Sequence, residues 1–433
     1  MPSGSRSHLP GGEHLPPTPE SWLPREHNLY RPRHSPRQRT ALVCAIAFFL
    51  APALAFVAGV RPEPFENRAL AEFPGPGAGW GFFTGLSAWA TDHLPLREAG
   101  IDAAEAVSAG VFGDSPGAGG GARDTVGVSP EDEPEQVPYD LYPKVVSGKD
   151  GWLYLGEDAL SKCFPTTDID GVIRSLQRLR AAVEASGRRF EVVFAPDKST
   201  AMPQYLPDSY VGKDCADERA REFWQRVPAE AGAIDLRPAL RTAQAQVGEP
   251  LYDPLDSHWT FAGGLTMTYE LAERLAPGST STWKVEPAGT QPWPADLPRL
   301  LGRSEEWHPH RFSLAPDGGR DRTRYIASDF RTPLEVKQHG SEVDGTIAGR
   351  VGVIADSYTQ FATPFLAATC RDLTVVHADT VAGGSVDEIA GVLADRDVIV
   401  IEFVERIVSG GGSALLRDEA IDRLAAALAD NPR

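Results

Sequence analysis

Three stretches near the C-terminus, RVGVIAD (350 to 356), LTVVHA (373 to 378) and DVIVIEFV (397 to 404), are almost wholly apolar, and helical sequence follows each one. A strand without polar alternation must be buried on both faces, and such strands are joined by helices that pack over the sheet. YTQFATPFLAATC, VDEIAGVLAD and ALLRDEAIDRLAAALAD supply those helices. The alternation restricts the chain to an α/β architecture, a doubly wound parallel sheet with flanking helices. The same rhythm occurs upstream. DGVIRSLQRLRAAVEASG (170 to 187) sets Ile173, Leu176, Leu179 and Val183 at helical spacing ahead of the buried run FEVVFAP (190 to 196). A short AIDL strand separates helical ERAREFWQRV from ALRTAQAQV, and FAGGLTMTYELAERLA (261 to 276) aligns Phe261, Leu265, Tyr269, Ala272 and Leu275 on one face.

Composition divides the rest of the chain. Residues 1 to 40, rich in Pro, His and Arg without periodicity, are expected to be a disordered tail. Residues 41 to 60, ALVCAIAFFLAPALAFVAGV, carry no charge, and these 20 residues as a helix reach roughly 30 Å, the hydrocarbon thickness of a bilayer. We expect a transmembrane anchor here. A cleaved signal peptide is the alternative, since Ala53, Leu54 and Ala55 resemble a cleavage site, although the preceding leader is long for one. Arg31, Arg33, Arg37 and Arg39 precede the span, whereas Glu63 and Glu66 offset Arg61 and Arg68 after it. Positive-inside logic then gives a single-pass cell-membrane protein with a cytoplasmic N-terminus and everything after residue 60 outside.

A juxtamembrane segment and a Gly, Pro and acid-rich linker fill residues 61 to 137, and the main domain is expected over 138 to 433, with an inserted segment at about 277 to 349. Ser115, in the GDS of that linker, has no strand before it and is not expected to be a nucleophile. The net charge of -18 excludes nucleic acid as a partner, because a phosphate backbone would be repelled over most of the surface. Of four cysteines, Cys44 lies in the span. Cys163 and Cys215, both in polar loop sequence, are the preferred disulfide in an oxidising compartment, with Cys370 a buried thiol at the end of an apolar helix.

In an open parallel sheet the reactive site lies at the carboxyl ends of the strands. VGVIADSY puts Asp356 and Ser357 there, between a buried strand and a helix, where the serine is a candidate nucleophile and either residue is equally suited to capping the helix. YDPLDSHWTFAGG (252 to 264) supplies the complement. In extended chain, residues two apart point the same way, so Asp256 can orient one nitrogen of His258 while the other faces a serine. The alternatives are a helix-entry turn with Thr260 as its cap, or a metal site from Asp253, Asp256 and His258, for which only His308 and His310, far along the chain, offer a further imidazole.

Taken together, ENRALAEFP (66 to 74), WATDHLPLRE (89 to 98), SGKDGWLYLGED (147 to 158), FAPDKSTAMPQYLPD (194 to 208), DSHWTFAGG (256 to 264), VIADSY (353 to 358) and IEFVER (401 to 406) resemble the alginate O-acetyltransferase AlgJ/AlgX group of the SGNH hydrolase-like superfamily. The resemblance implies Ser357 as nucleophile, His258 as general base and Asp256 as its orienting carboxylate, in a circularly permuted order. It implies acetyl transfer to a secreted or cell-surface polysaccharide without cofactor or metal. An acetyl donor would reach it through a multi-spanning membrane acyltransferase, since one span cannot carry a donor across. Lys198, Trp259 and Tyr358 are candidate substrate-facing residues, with a loop lysine and a packing tryptophan as the plainer alternatives. Two departures stand out: Ala355 where the group usually has Gly, and no Asn to serve as the superfamily's oxyanion donor. Asp92, His93 and Arg97 match a segment of the group but have no derivable role. An acetyl esterase using the same residues, or a catalytically silent polysaccharide-binding scaffold, are the competing functions.

Overall fold

The computed structural model describes residues 36–60, 73–75, 141–338, 343–378 and 386–433, with the single positions 82, 86, 89 and 93. It divides into two units, Met1–Arg97 and Glu98–Arg433. In the first, helix α1 (Pro36–Val57) takes in residues 41 to 57 of the expected 41 to 60 span and leaves Leu42, Val43, Phe48, Phe49 and Leu54 exposed. Among the described residues no helix is long and apolar enough to cross a membrane; the side chains of Pro52 and Ala53, inside α1, fall outside that set. Phe56 and Phe73 pack edge-on against Trp89 at 5.8 and 5.1 Å, and His93 stacks on the same indole. Residues 1 to 35 of the expected tail, Asp92, Arg97, Ser115 and most of segment 61 to 137 lie outside the described residues, whereas residues 36 to 40, expected in the disordered tail, form the first turn of α1.

The second unit is built on a six-stranded sheet. Its strands are β1 (Arg189–Ala195), β2 (Ile234–Asp235), β3 (Leu334–Lys337), β4 (Ile347–Ala355), β5 (Cys370–His377) and β6 (Val398–Val404). They lie in the order β2-β1-β6-β4-β5-β3, all parallel except β3, which pairs antiparallel with β5 at the edge. That edge corrects the sequence reading, which placed Leu334–Lys337 in the insertion. Its residues alternate, Val336 buried and Glu335 and Lys337 exposed, so it is a strand with one solvated face rather than the fully apolar kind.

Alternate residues of the parallel strands feed two cores. Val351, Val353, Val375 and Val400 face helices α5 (Phe261–Leu275) and α7 (Thr359–Thr369). Phe190, Val192, Ile354, Ile399 and Ile401 face α3 (Ile169–Ala185), α4 (Lys213–Ala231), α8 (Val386–Leu393) and α9 (Asp418–Ala429). The remaining insertion folds into two small hairpins, Lys284–Thr290 with His310–Ala315 and Trp293–Pro294 with Glu306–Trp307; helix α6 (Asp296–Leu300) lies between the strands of the second. At the sheet's carboxyl edge, Lys162 of α2 (Glu157–Cys163) is buried between Asp197 at 2.7 Å and Glu405 at 2.8 Å, and Arg406 reaches Asp197 at 3.3 Å. These pairs tie α2 to the ends of β1 and β6. A disulfide between Cys163 and Cys215, with Cα atoms 5.2 Å apart, joins α2 to α4. Cys370 is a buried free thiol whose pKa burial pushes up to about 12.

Helices α5 and α7 meet at Gly264. A Cβ built there would stand 2.2 Å from the carbonyl oxygen of Phe361, so only glycine permits this approach of backbone to backbone. Gly264→Ala must push α7 away from α5 and is expected to cost about 1–3 kcal/mol, read as a lowered unfolding midpoint. An unchanged midpoint would show that the two helices are free to separate.

Candidate active site

Ser357 is the second residue after β4, and within 351–359 it alone is not buried. The turn that presents it is held from beneath. The Asp356 carboxylate accepts hydrogen bonds from the backbone N–H groups of Tyr358 (2.8 Å) and Val404 (2.7 Å), fixing the turn to the neighbouring strand β6. Below it Glu402 accepts from the Thr359 hydroxyl at 2.9 Å and the Asp356 N–H at 3.4 Å. Burial first, and the Asp356 charge second, hold the Glu402 carboxyl well above the usual carboxylate range. Ala355 needs no glycine-like conformation, since it is not among the residues with positive φ. Substitution of the expected Gly is thus accommodated in ordinary strand geometry.

The loop before α5 brings the other two groups. Tyr252 and Trp259 form an isolated antiparallel bridge, and the intervening residues turn back so that Asp256 and His258 point the same way. His258 Nε2 lies 2.8 Å from Ser357 Oγ, and Nδ1 lies 2.7 Å from Asp256 Oδ1. The same Asp256 oxygen accepts the backbone N–H of His258 at 2.9 Å, and its other oxygen accepts the Trp307 indole N–H at 3.2 Å. Asp256 is 1% exposed. Burial works against a charged imidazole, yet the charge of Asp256 and its hydrogen bond outweigh that, so the pKa of His258 lies above its ordinary value. Thr260 is the residue before α5, but its side chain makes no capping bond, so the loop's polar residues do not serve helix entry.

Asp296, the first residue of α6, was not singled out from sequence. Its Oδ2 lies 3.5 Å from His258 Nδ1, and it accepts the Ser257 N–H at 2.8 Å and the Ser257 hydroxyl. Burial, followed by the neighbouring Asp256, raises its pKa. Asp256, His258 and Asp296 each offer a ligand atom within 4.8 Å of the others, whereas the expected metal set contained Asp253 instead. Both imidazole nitrogens are already engaged with Ser357 and Asp256, so a metal would have to displace one of those bonds. His308 and His310 are both exposed, and His310 stands 3.7 Å from Glu249.

The three residues expected to face substrate are not placed to do so. Lys198 is 1% exposed and donates to the carbonyls of Pro254 (2.9 Å) and Asp256 (3.0 Å), with Trp152 and Tyr154 rings against its ammonium. It clamps the loop carrying Asp256, and burial pulls its pKa down to about 8. Trp259 is fully buried and donates to the Tyr358 carbonyl at 2.9 Å; the Tyr358 hydroxyl, also buried, donates to the Ser257 carbonyl at 2.8 Å. These two bonds stitch the histidine loop to the serine turn. Asp253, accepting the Leu255 N–H at 2.8 Å, has its pKa raised to about 6 by burial.

The family model described as SGNH hydrolase-like domain, acetyltransferase AlgX, matches residues 145–394. Probable alginate O-acetylases AlgJ of Pseudomonas syringae pv. tomato and of Pseudomonas fluorescens are 26% identical over 164 and 165 residues, 37% of this chain and 41% of theirs. The chain thus spans about two fifths of the length of the curated relatives it matches. Among solved structures, the O-acetyltransferase domain of Pseudomonas putida AlgJ is similar at 17% identity and a TM-score of 0.42, covering 64% of this chain and 100% of that one. Pseudomonas aeruginosa AlgX is similar at 15% identity and a TM-score of 0.39, covering 64% of this chain and 66% of that one. The family match takes in β1 to β5 and the loops that bring Asp256, His258 and Ser357 together, more than half of the 433 residues, and the chain belongs to the family of SGNH hydrolase-like domains of acetyltransferase AlgX.

Proposed function

We propose that this protein O-acetylates hydroxyls of a secreted or cell-surface polysaccharide through an acyl-serine intermediate. The observation that carries the reading is the hydrogen-bonded series from Ser357 through His258 to Asp256, at 2.8 and 2.7 Å, at the carboxyl end of a parallel strand. Family membership supports acetyl transfer, and the naming of the AlgJ relatives as alginate O-acetylases supports a polysaccharide acceptor. The order Asp256, His258, Ser357 along the chain we read as a circular permutation of the usual SGNH arrangement.

In the first half-reaction His258 Nε2 takes the Ser357 proton as Oγ bonds to the acyl carbon. The bond from that carbon to the donor's leaving oxygen breaks, and His258 passes the proton to that oxygen. In the second half a sugar hydroxyl gives its proton to His258 and attacks the acyl carbon. The bond to Ser357 Oγ breaks, and the serine recovers its proton. No electrons change hands. The Ser357 N–H, which has no partner among the described residues, would serve as one oxyanion donor; the Tyr358 N–H is engaged by Asp356.

Incubating the full chain with p-nitrophenyl acetate, with and without an oligosaccharide, tests this by intact mass. We expect an acetyl adduct that discharges onto sugar, absent in Ser357→Ala at an unchanged unfolding midpoint. Discharge to water alone would make the protein an esterase, and no adduct with intact glycan binding would make it a scaffold. Because His258 must be neutral to accept the serine proton and its pKa is raised, acylation should fall as pH drops through a midpoint above about 6.5. A rate flat down to pH 5 would remove His258 from the base role.

The same proposal includes a single-pass anchor formed by the uncharged residues 41 to 60, with the catalytic unit outside, and a multi-spanning membrane acyltransferase as donor partner. Crosslinking in intact membranes should recover the chain with a polytopic protein, and deleting residues 41 to 60 should move it to the soluble fraction. A full-length chain that is soluble from the outset would sink the anchor.

A further inference from the structure

We propose that Asp296 is a second positioning carboxylate for His258, so that the inserted segment takes part in activating Ser357; this rests on the triad reading above. Two carboxylates converge on one imidazole nitrogen, Asp256 at 2.7 Å and Asp296 at 3.5 Å. Asp296 cannot swing freely to or from the ring, because the Ser257 N–H and hydroxyl both donate to it, and Ser257 Oγ itself lies 3.4 Å from Nδ1. The charge is therefore fixed at a set distance from the place where positive charge develops when His258 takes a proton. Coulomb interaction falls only inversely with separation, so the longer contact retains most of the effect of the shorter.

The other charged and titratable groups around the ring explain why one carboxylate would be poorly matched. Lys198, from the end of β1, holds the Asp256 carbonyl, and Arg406, from the end of β6, stands over the Tyr358 ring at 5.7 Å while pairing with Asp197. Both cations oppose an imidazolium. Asp253 stands on the same loop as Asp256, its carboxylate held by the Leu255 N–H, and Asp356 and Glu402 lie beneath the serine turn, engaged there. Tyr358 contributes its ring, 4.9 Å from that of His258. Asp296 is the group that adds negative charge on the Nδ1 side from outside the histidine loop.

The substitution Asp296→Asn separates charge from shape, since the amide oxygen still accepts from Ser257. In the full chain, labelled at histidine and followed by NMR with His258→Gln assigning the resonance, the His258 titration should move to lower pH by roughly half a pH unit or more. The acid limb of acylation should move with it, and the plateau should fall severalfold. Asp296→Glu, which keeps the charge, should return the titration towards that of the wild type. An Asn variant that lowers rate or stability while the His258 titration stays put would make Asp296 a structural residue only and overturn the proposal. Should that variant not fold, Ser257→Ala carries the test: freeing the carboxylate from the hydroxyl should raise the His258 titration, and an unmoved value would overturn the proposal. The titration needs no turnover, so a chain that never forms an acyl adduct would refute the transferase reading while leaving this measurement intact.

Discussion

The carboxylate of Asp256 sets the terms for everything around it. It is 1% exposed, and an ion removed from water to that extent costs several kcal/mol unless its oxygens are occupied. Three donors occupy them: the backbone and ring N–H groups of His258 and the indole of Trp307, while Lys198 holds the carbonyl of the same residue. The donors come from the histidine loop itself and a hairpin of the insertion, and the lysine from the end of β1. A charge that is expensive to bury therefore acts as the joint at which three otherwise separate parts of the fold are fixed, and the imidazole inherits its orientation from that joint.

On the serine side the logic is the same with a different partner. Asp356 is tied to β6 and to the first turn of α7, and Glu402, whose carboxyl burial holds above the usual carboxylate range, completes the support. Trp259 and Tyr358 then cross-bond the two halves. The hydroxyl of Ser357 is left as the partly exposed polar group at the centre of a buried turn. The arrangement concentrates hydrogen bonds around the serine turn and leaves Ser357 as its one residue that is not buried.

The parallel strands were legible because burial on both faces leaves an unmixed apolar run, and Ser357 was legible because such a run ends at it. Asp256 and His258 were legible from their spacing of two, although a bend closed by the His258 N–H on the Asp256 carboxylate, and not extended chain, brings them together. Asp296 and Trp307 were not: their connection to His258 and Asp256 crosses 38 and 51 residues, and nothing periodic links an insertion to the loop it lands on. Edge strand β3 is hidden for the opposite reason, since its four residues alternate like a solvated strand and stand inside irregular, Pro-rich sequence. Lys198, Trp259 and Tyr358 were expected to face substrate because they stand in segments that match the family, and such a match records chemical capability but not exposure. All three turn out to spend that capability on internal bonds.

The centre also joins pieces that are remote along the chain. His258 meets a serine 99 residues later, and Asp197 meets Arg406 across 209 residues. A polypeptide emerging in order from its N-terminus has therefore made its histidine loop long before the serine, and the strand that braces the serine turn comes later still. Until β6 has paired with both β1 and β4, the turn that carries residue 357 lacks the Val404 N–H that holds Asp356. Before those strands pair, the chain holds the residues of the site without the 2.8 Å contact between His258 and Ser357 that gathers them.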